Sequence, residues 1–331
     1  MHNWGKRFLK IGTVFLVTVL LLELSYRFYI LDFYYTELSA LNESLPPSEK
    51  DLPNILFLGD SFTAYPESYV AKLRRDVPFN LINSAVSGTS ILEATFMSNS
   101  RIGRFKPSIV VYQIYLGNDL LDITHRPTGT ISVPRRLYHA VSDRFRVFKL
   151  LNYRLGQFRA NIYNDLQSPQ EDNTIEFSEK NYSPRQKMIF EQEPYHLENV
   201  LELKGGRERD FEVLVSRLEI IEAQLDKNCQ LVVLIVPHCA QVNQTYHSRM
   251  NSIGLESDYQ ESGKFYSEFE QAFSHCTIVN PLATFKQMDS EEHRVYLKND
   301  PHLSDYGQTV LAEVLKPYLK TKSSNITNQD H

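Results

Sequence analysis

The sequence predicts an α/β fold: a parallel sheet with helices wound over both faces, behind one N-terminal membrane-spanning helix. Three observations predict it. Short apolar runs rich in β-branched residues alternate with stretches at helical spacing. Each run stops at a small or polar turn. Residues 11–22 carry no charge and follow Lys6, Arg7 and Lys10.

Taken in order, the first element is that apolar stretch. Glu23 and Arg27 follow it one helical turn apart and can pair on one face. A cleaved signal peptide would need a small-residue cleavage site, and none follows Leu22. The other reading is an uncleaved anchor over about residues 8–30, near the ~20 residues that a bilayer requires. Its lysines would lie on the cytoplasmic side and Tyr29, Tyr34 and Tyr35 at the far interface. The anchor is the favoured reading. It makes 1–35 a cytoplasmic stub and anchor and sets the remaining chain outside the cytoplasm, periplasmic or at the cell surface. Residues 36–52, with Pro46 and Pro47, read as a linker.

The folded part is expected over residues 53–320. Ile55, Leu56, Phe57 and Leu58 read as a buried strand, broken by Gly59 and Asp60, with Ser61 at the turn. A helix over 68–77 ends at Pro78. A strand at 79–83 leads into the small residues 84–90 and a helix over 91–101. A third strand, 109–115, ends in Leu116-Gly117-Asn118-Asp119. Strand, helix, strand, helix, strand implies parallel pairing with right-handed crossovers. Residues 120–206 are too long and irregular for a crossover and read as an insertion over the sheet edge, helical at 141–159 and loop-like at 167–181. The alternation returns with a helix at 209–226, where Phe211, Leu214, Leu218, Ile221 and Leu225 share a face. A strand follows at 231–236, a helix at 257–273, a strand at 277–280 and a closing helix at 304–319. The polar tail, 321–331, reads as disordered.

Composition excludes several classes. A net charge of -5 with no basic patch argues against a nucleic-acid partner. Cys229, Cys239 and Cys276 match no zinc spacing and are too few for a disulfide scaffold. Cys229 and Cys276 each precede a strand, and those strands should be neighbours. They either bridge, if their Cα atoms come within ~7 Å, or remain buried thiols. Asn42, Asn243 and Asn325 fit the Asn-x-Ser/Thr pattern, which matters only in a host that glycosylates. The sequence does not set the oligomeric state.

The chemistry lies where the strands end. In a doubly wound sheet the residues after the strands converge at one edge. Ser61, Gly88, Asn118 and the pair Asp300 and His302 all fall after strands or before helices. A serine hydroxyl needs a base to become a nucleophile, and His302 can supply it. Asp300 can hold the imidazole tautomer and steady its charge. The backbone N–H groups of Ser61 and Gly88 and the Asn118 side chain are the donor types that an oxyanion needs. Bland alternatives exist for each: Asp60, Asn118 or Asp119 as helix caps, and His302 as a surface histidine. Their order after separate strands favours the functional reading. His238, after the fourth strand, lines the pocket or is merely solvated. Arg126, Arg135 and Arg136 meet an anionic substrate or form a solvated face.

Four of these stretches resemble one known family. Gly59-Asp60-Ser61-Phe62, residues 83–88, Gly117-Asn118-Asp119 and the run from Asp300 to Gly307 come in the order of the SGNH hydrolases, or GDSL esterases and lipases. The resemblance implies a three-layer α/β/α, flavodoxin-like fold. It also implies a serine esterase acting on acyl esters, with Ser61 as nucleophile, His302 as base, Gly88 and Asn118 completing the oxyanion hole, and no metal or organic cofactor. Many members place the acid three residues before the histidine, where Asn299 stands here; others place it two before, at Asp300. Asp300 is the expected acid. The expected substrate is a small, acetyl-like ester on a polar carrier, such as a glycan. The rival expectations are an O-acyltransferase of surface polysaccharide and a non-catalytic anchored binding protein on the same fold.

Overall fold

The computed structural model describes residues 2–28, 30–31, 52–65, 67–74, 76–126, 130–148, 150–151 and 176–320. The expected linker falls almost wholly outside the described residues, as do residues 152–175 of the expected insertion and the 321–331 tail.

Five strands form one parallel sheet: β1 Asn54–Leu58, β2 Asn80–Asn83, β3 Ile109–Tyr115, β4 Gln230–Val236 and β5 Thr277–Val279. They pair in the order β2-β1-β3-β4-β5, in register from Asn54 against Asn80 to Leu234 against Val279. This is the flavodoxin-like order, in which the winding reverses between β1 and β3. All seven residues of β3 are buried. Successive side chains point to opposite faces, so both faces are covered, which makes three layers. Burying each large apolar side chain here contributes about 1.5–3 kcal/mol relative to leaving it exposed. Helix Arg207–Glu222 packs with Ile91–Phe105 and Asp119–Thr124, while Asp305–Lys320 packs with Tyr69–Leu73 and Leu282–Met288.

Several boundaries differ from expectation. The helix expected at 68–77 spans only Tyr69–Leu73, and the one expected at 91–101 runs on to Phe105. In the insertion, the expected helix at 141–159 begins earlier, as Val133–Arg144 with a proline in its first turn, and breaks at the extended Phe145. The short helices Pro184–Gln192 and His196–Glu202 had no periodicity long enough to announce them. Gln244–Ser252 was missed because its start is set by a side chain, with Asn243 accepting from the Tyr246 N–H at 3.0 Å. The helix expected at 257–273 is confined to Lys264–Ala272. β4 and β5 are neighbours as expected, but no disulfide joins Cys229 to Cys276.

The N-terminal helix, His2–Arg27, contains a 23-residue stretch from Gly5 to Arg27, of which 18 consecutive residues have a mean hydropathy of 2.0, long and apolar enough to cross a membrane. Glu23 and Arg27 pair at 2.9 Å as their spacing predicts. Glu23 is only 4% exposed, because its carboxylate also accepts the Val147 N–H at 3.1 Å. The Arg146 guanidinium donates to the Tyr26 carbonyl at 2.5 Å. The last turns of this helix are therefore docked on the folded part.

One glycine fixes the approach of the closing helix. A Cβ at Gly307 would stand 2.0 Å from the Val295 carbonyl oxygen, a backbone atom that cannot swing away. Gly307→Ala is expected to cost about 2 kcal/mol or more, read as a lower denaturant midpoint at unchanged slope.

Candidate active site

Ser61 follows β1 at the carboxyl edge of the sheet, as the first residue of the four-residue helix Ser61–Ala64. Asp60 caps that helix, its carboxylate accepting the Phe62 N–H at 3.1 Å. Asp60 is buried, and this burial raises its pKa in spite of the Phe62 N–H and the nearby His302. The Asp60 N–H and the Thr63 hydroxyl both donate to the Gln113 side-chain oxygen, at 3.3 and 3.1 Å. Gln113, a polar residue inside an otherwise apolar strand, thus pins the serine turn from β3.

The sheet order puts the other loops around it. β2 and β3 flank β1, so the loop carrying Gly88 and the turn carrying Asn118 leave the sheet on either side of the serine turn. Asn83 ties two of these loops together. Its Nδ2 donates to the Thr63 carbonyl at 2.6 Å and its Oδ1 accepts the Ala85 N–H at 3.2 Å. Gly88 is exposed in a left-handed conformation, φ 70°, which glycine adopts without strain. Its carbonyl accepts from Arg135 at 2.9 Å. Asn118 stands at the cap position of helix Asp119–Thr124 but makes no side-chain cap bond; its Nδ2 donates to Asp122 at 3.2 Å. The neighbouring Asp119 carboxylate is buried and accepts the Tyr115 N–H at 2.9 Å.

His302 comes from the far end of the chain. An antiparallel bridge between Tyr296 and Leu303 closes its loop, and the Leu297 N–H donates to the His302 carbonyl at 3.0 Å. The imidazole Nε2 lies 2.8 Å from the Ser61 hydroxyl oxygen. Its Nδ1 is hydrogen-bonded to the Asp300 carboxylate, which also accepts the His302 backbone N–H at 2.9 Å. A proton on Nδ1 toward Asp300 leaves Nε2 free to accept from Ser61. Burial lowers the pKa of this imidazole, but the hydrogen bond and charge of Asp300, with Asp60 behind, outweigh it and the net shift is upward.

Asn299, one residue away, is occupied otherwise. Its Oδ1 accepts the Ser178 N–H at 2.8 Å and its Nδ2 donates to the Glu176 carbonyl at 3.1 Å. Asp300 faces the histidine, and Asn299 moors the 176–178 segment.

Two expectations need correction. His238 is fully buried and neither lines a pocket nor meets solvent. Its Nδ1 accepts the Ala240 N–H at 3.2 Å, and burial drives its pKa down to about 3, so it is a neutral structural cap. Arg126 and Arg135 are not simply a solvated face either. Both pair with Glu93, whose side chain is wholly buried, Arg135 at 2.7 Å. Arg136 donates to the Ile131 carbonyl at 3.1 Å.

The sequence also concealed one supporting chain. His196 Nε2 sits 2.9 Å from the Gly117 carbonyl, and its Nδ1 3.3 Å from Glu193, which pairs with Arg207. The turn before Asn118 is thus held from helix His196–Glu202, through a contact between residues 79 positions apart that no local pattern marks.

No family model matches the chain, and no curated protein matches it. Solved structures do. A family 3 carbohydrate esterase from Clostridium thermocellum is 14% identical, with 83% of this chain and 98% of that chain covered and a TM-score of 0.41. A lipase/acylhydrolase from Enterococcus faecalis is 12% identical, over 82% and 97%, with a TM-score of 0.39. A GDSL-like lipase from Bacteroides thetaiotaomicron is 12% identical, over 88% and 100%, with a TM-score of 0.37. At these identities and scores the likeness says nothing of what this chain acts on, and the fold rests on its own strand order.

Proposed function

We propose that this chain is a membrane-anchored serine esterase that hydrolyses a small acyl ester, acetyl-like, on a polar carrier such as a glycan. The observation that carries the reading is the run of hydrogen bonds from Ser61 through His302 to Asp300. Ser61 Oγ attacks the ester carbonyl as His302 Nε2 takes its proton. The negative oxygen that forms is held by the Ser61 and Gly88 N–H groups and by Asn118 Nδ2. The imidazolium returns the proton to the leaving alcohol, and an acyl-enzyme remains. Water, activated by the same imidazole, releases the acid. No step requires a metal or organic cofactor.

The anchor is part of the proposal. The basic residues before the apolar stretch orient the amino terminus to the cytoplasm and the 53–320 domain outward. The buried contacts of Glu23 support a helix that stays attached, since a cleaved one would leave the Val147 N–H without that partner.

The test is turnover of p-nitrophenyl acetate, then of acetylated glycans, by the full-length protein in detergent. Release of acetate sustains the reading. Acetyl appearing instead on an added sugar hydroxyl would make the protein an acyltransferase. No turnover and no labelling by a fluorophosphonate probe would leave a non-catalytic binding protein. Within the esterase, Asn118→Ala is expected to lower kcat by about 10²-fold or more with little change in KM, as loss of one oxyanion donor does. An equal fall in every variant that merely weakens the fold would count against a role at the oxyanion.

A further inference from the structure

At the opposite edge of the sheet, three unlike side chains converge. Glu222 ends helix Arg207–Glu222, and His275 and Cys276 immediately precede β5. His275 Nε2 lies 2.9 and 3.1 Å from the two Glu222 carboxylate oxygens. Cys276 Sγ lies 3.3 Å from one of them. One donor atom from each residue falls within 4.8 Å of the other two. The imidazole side chain is 59% exposed and the carboxylate 31%, so an ion can reach them from solvent. A histidine–glutamate ion pair accounts for two of the three groups. It does not account for a thiol turned onto the same oxygen.

The chemistry of the trio is that of a transition-metal site. Imidazole and thiolate are ligands for zinc and its neighbours, whereas calcium and magnesium take oxygen sets. Zinc binds nitrogen and carboxylate oxygen at ~2.0–2.1 Å and sulfur at ~2.3 Å, which sets neighbouring ligand atoms roughly 3.3–3.7 Å apart in a tetrahedron. The two separations from Glu222 need to open by only a few tenths of an ångström, and the imidazole nitrogen and the thiol sulfur lie within 4.8 Å of each other. We propose that Glu222, His275 and Cys276 bind one zinc ion, with the fourth position open to water. Binding forms a sulfur–zinc bond and releases the Cys276 proton to solvent. Because Ser61 lies at the other end of parallel strands, this ion is structural: it clamps the end of helix Arg207–Glu222 to the start of β5 and stabilises the fold by linkage. It is independent of the esterase reading.

The test uses full-length, tag-free protein in detergent, loaded with zinc chloride or cobalt chloride and dialysed. A single retained equivalent is expected, with a thiolate-to-cobalt charge-transfer band in the near ultraviolet. Zinc should raise the thermal midpoint of the wild type. His275→Ala, at an exposed side chain, should keep the fold but bind at least ~10-fold more weakly. Cys276→Ser should lose the cobalt band. Both variants should hydrolyse ester like the wild type if the chain is an esterase. No retained metal, cobalt bound without the thiolate band, or undiminished uptake by His275→Ala overturns the proposal.

Discussion

Ser61→Ala is expected to abolish ester hydrolysis, with kcat/KM down by about 10⁴-fold or more, while the protein folds as before. The fold is spared because the hydroxyl is held by one hydrogen bond, to His302, at a half-buried site. Its loss should change stability by about 1 kcal/mol at most. The rest of the turn is fixed by Asp60, Gln113 and Asn83, none of which touches the hydroxyl. Rate loss is large because the attacking atom itself is removed, and the remaining donors can only polarise the carbonyl for water. Residual turnover within tenfold of wild type, in protein free of contaminating esterase, would show that the attacking group lies elsewhere. Fluorophosphonate labelling should disappear with the activity.

The second large effect is at Asp300. Asp300→Asn is expected to lower kcat/KM by about 10³- to 10⁴-fold and to move the acid limb of the pH–rate profile downward. The sign follows from the imidazole. Burial lowers the His302 pKa, but the Asp300 hydrogen bond and charge raise it by more, so it sits above its ordinary 6.5. A general base must be neutral, so wild-type activity falls as pH drops through that raised value. The variant keeps the burial and loses the charge, so its inflection comes at lower pH although its plateau is far below. Stability changes in the opposite sense with pH. The contribution of a raised histidine is fully present below its unfolded pKa and is lost as pH rises through the folded one. Wild type and variant should therefore differ most in acid and converge in base. Asn299→Ala is the control. It should cost stability, through Ser178 and Glu176, and leave the acid inflection where it was. An inflection that moves with Asn299 and not with Asp300 would reverse the assignment.

Much of this was legible from local pattern. The five strands are short apolar runs ended by turns, and the period of each run is a property of neighbouring residues. Ser61 and Asn118 stood out because polar residues at strand ends are exceptions to that pattern, and His302 because it stands just before the closing helix. The helices of the insertion were less legible. Pro184–Gln192 buries Gln186, Ile189 and Phe190, too few apolar positions to fix a phase. His238 misled for a related reason. A histidine after a strand reads as pocket lining, yet its ring is enclosed and turned back to cap its own loop.

The sequence by itself determined the strand set, the parallel winding, the apolar N-terminal stretch and the residue types gathered after the strands, because periodicity and turn chemistry act over a few residues. Only the tertiary structure decided which strand lies beside which, that Asp300 and not Asn299 faces the imidazole, that Arg126 and Arg135 are consumed by a buried glutamate, and that Glu222 meets His275 and Cys276. Those outcomes depend on which surfaces the packed sheet brings within about 3 Å, and contacts such as Glu222 with His275, 53 positions apart, or Ser61 with His302, 241 apart, leave no mark on the order of the chain.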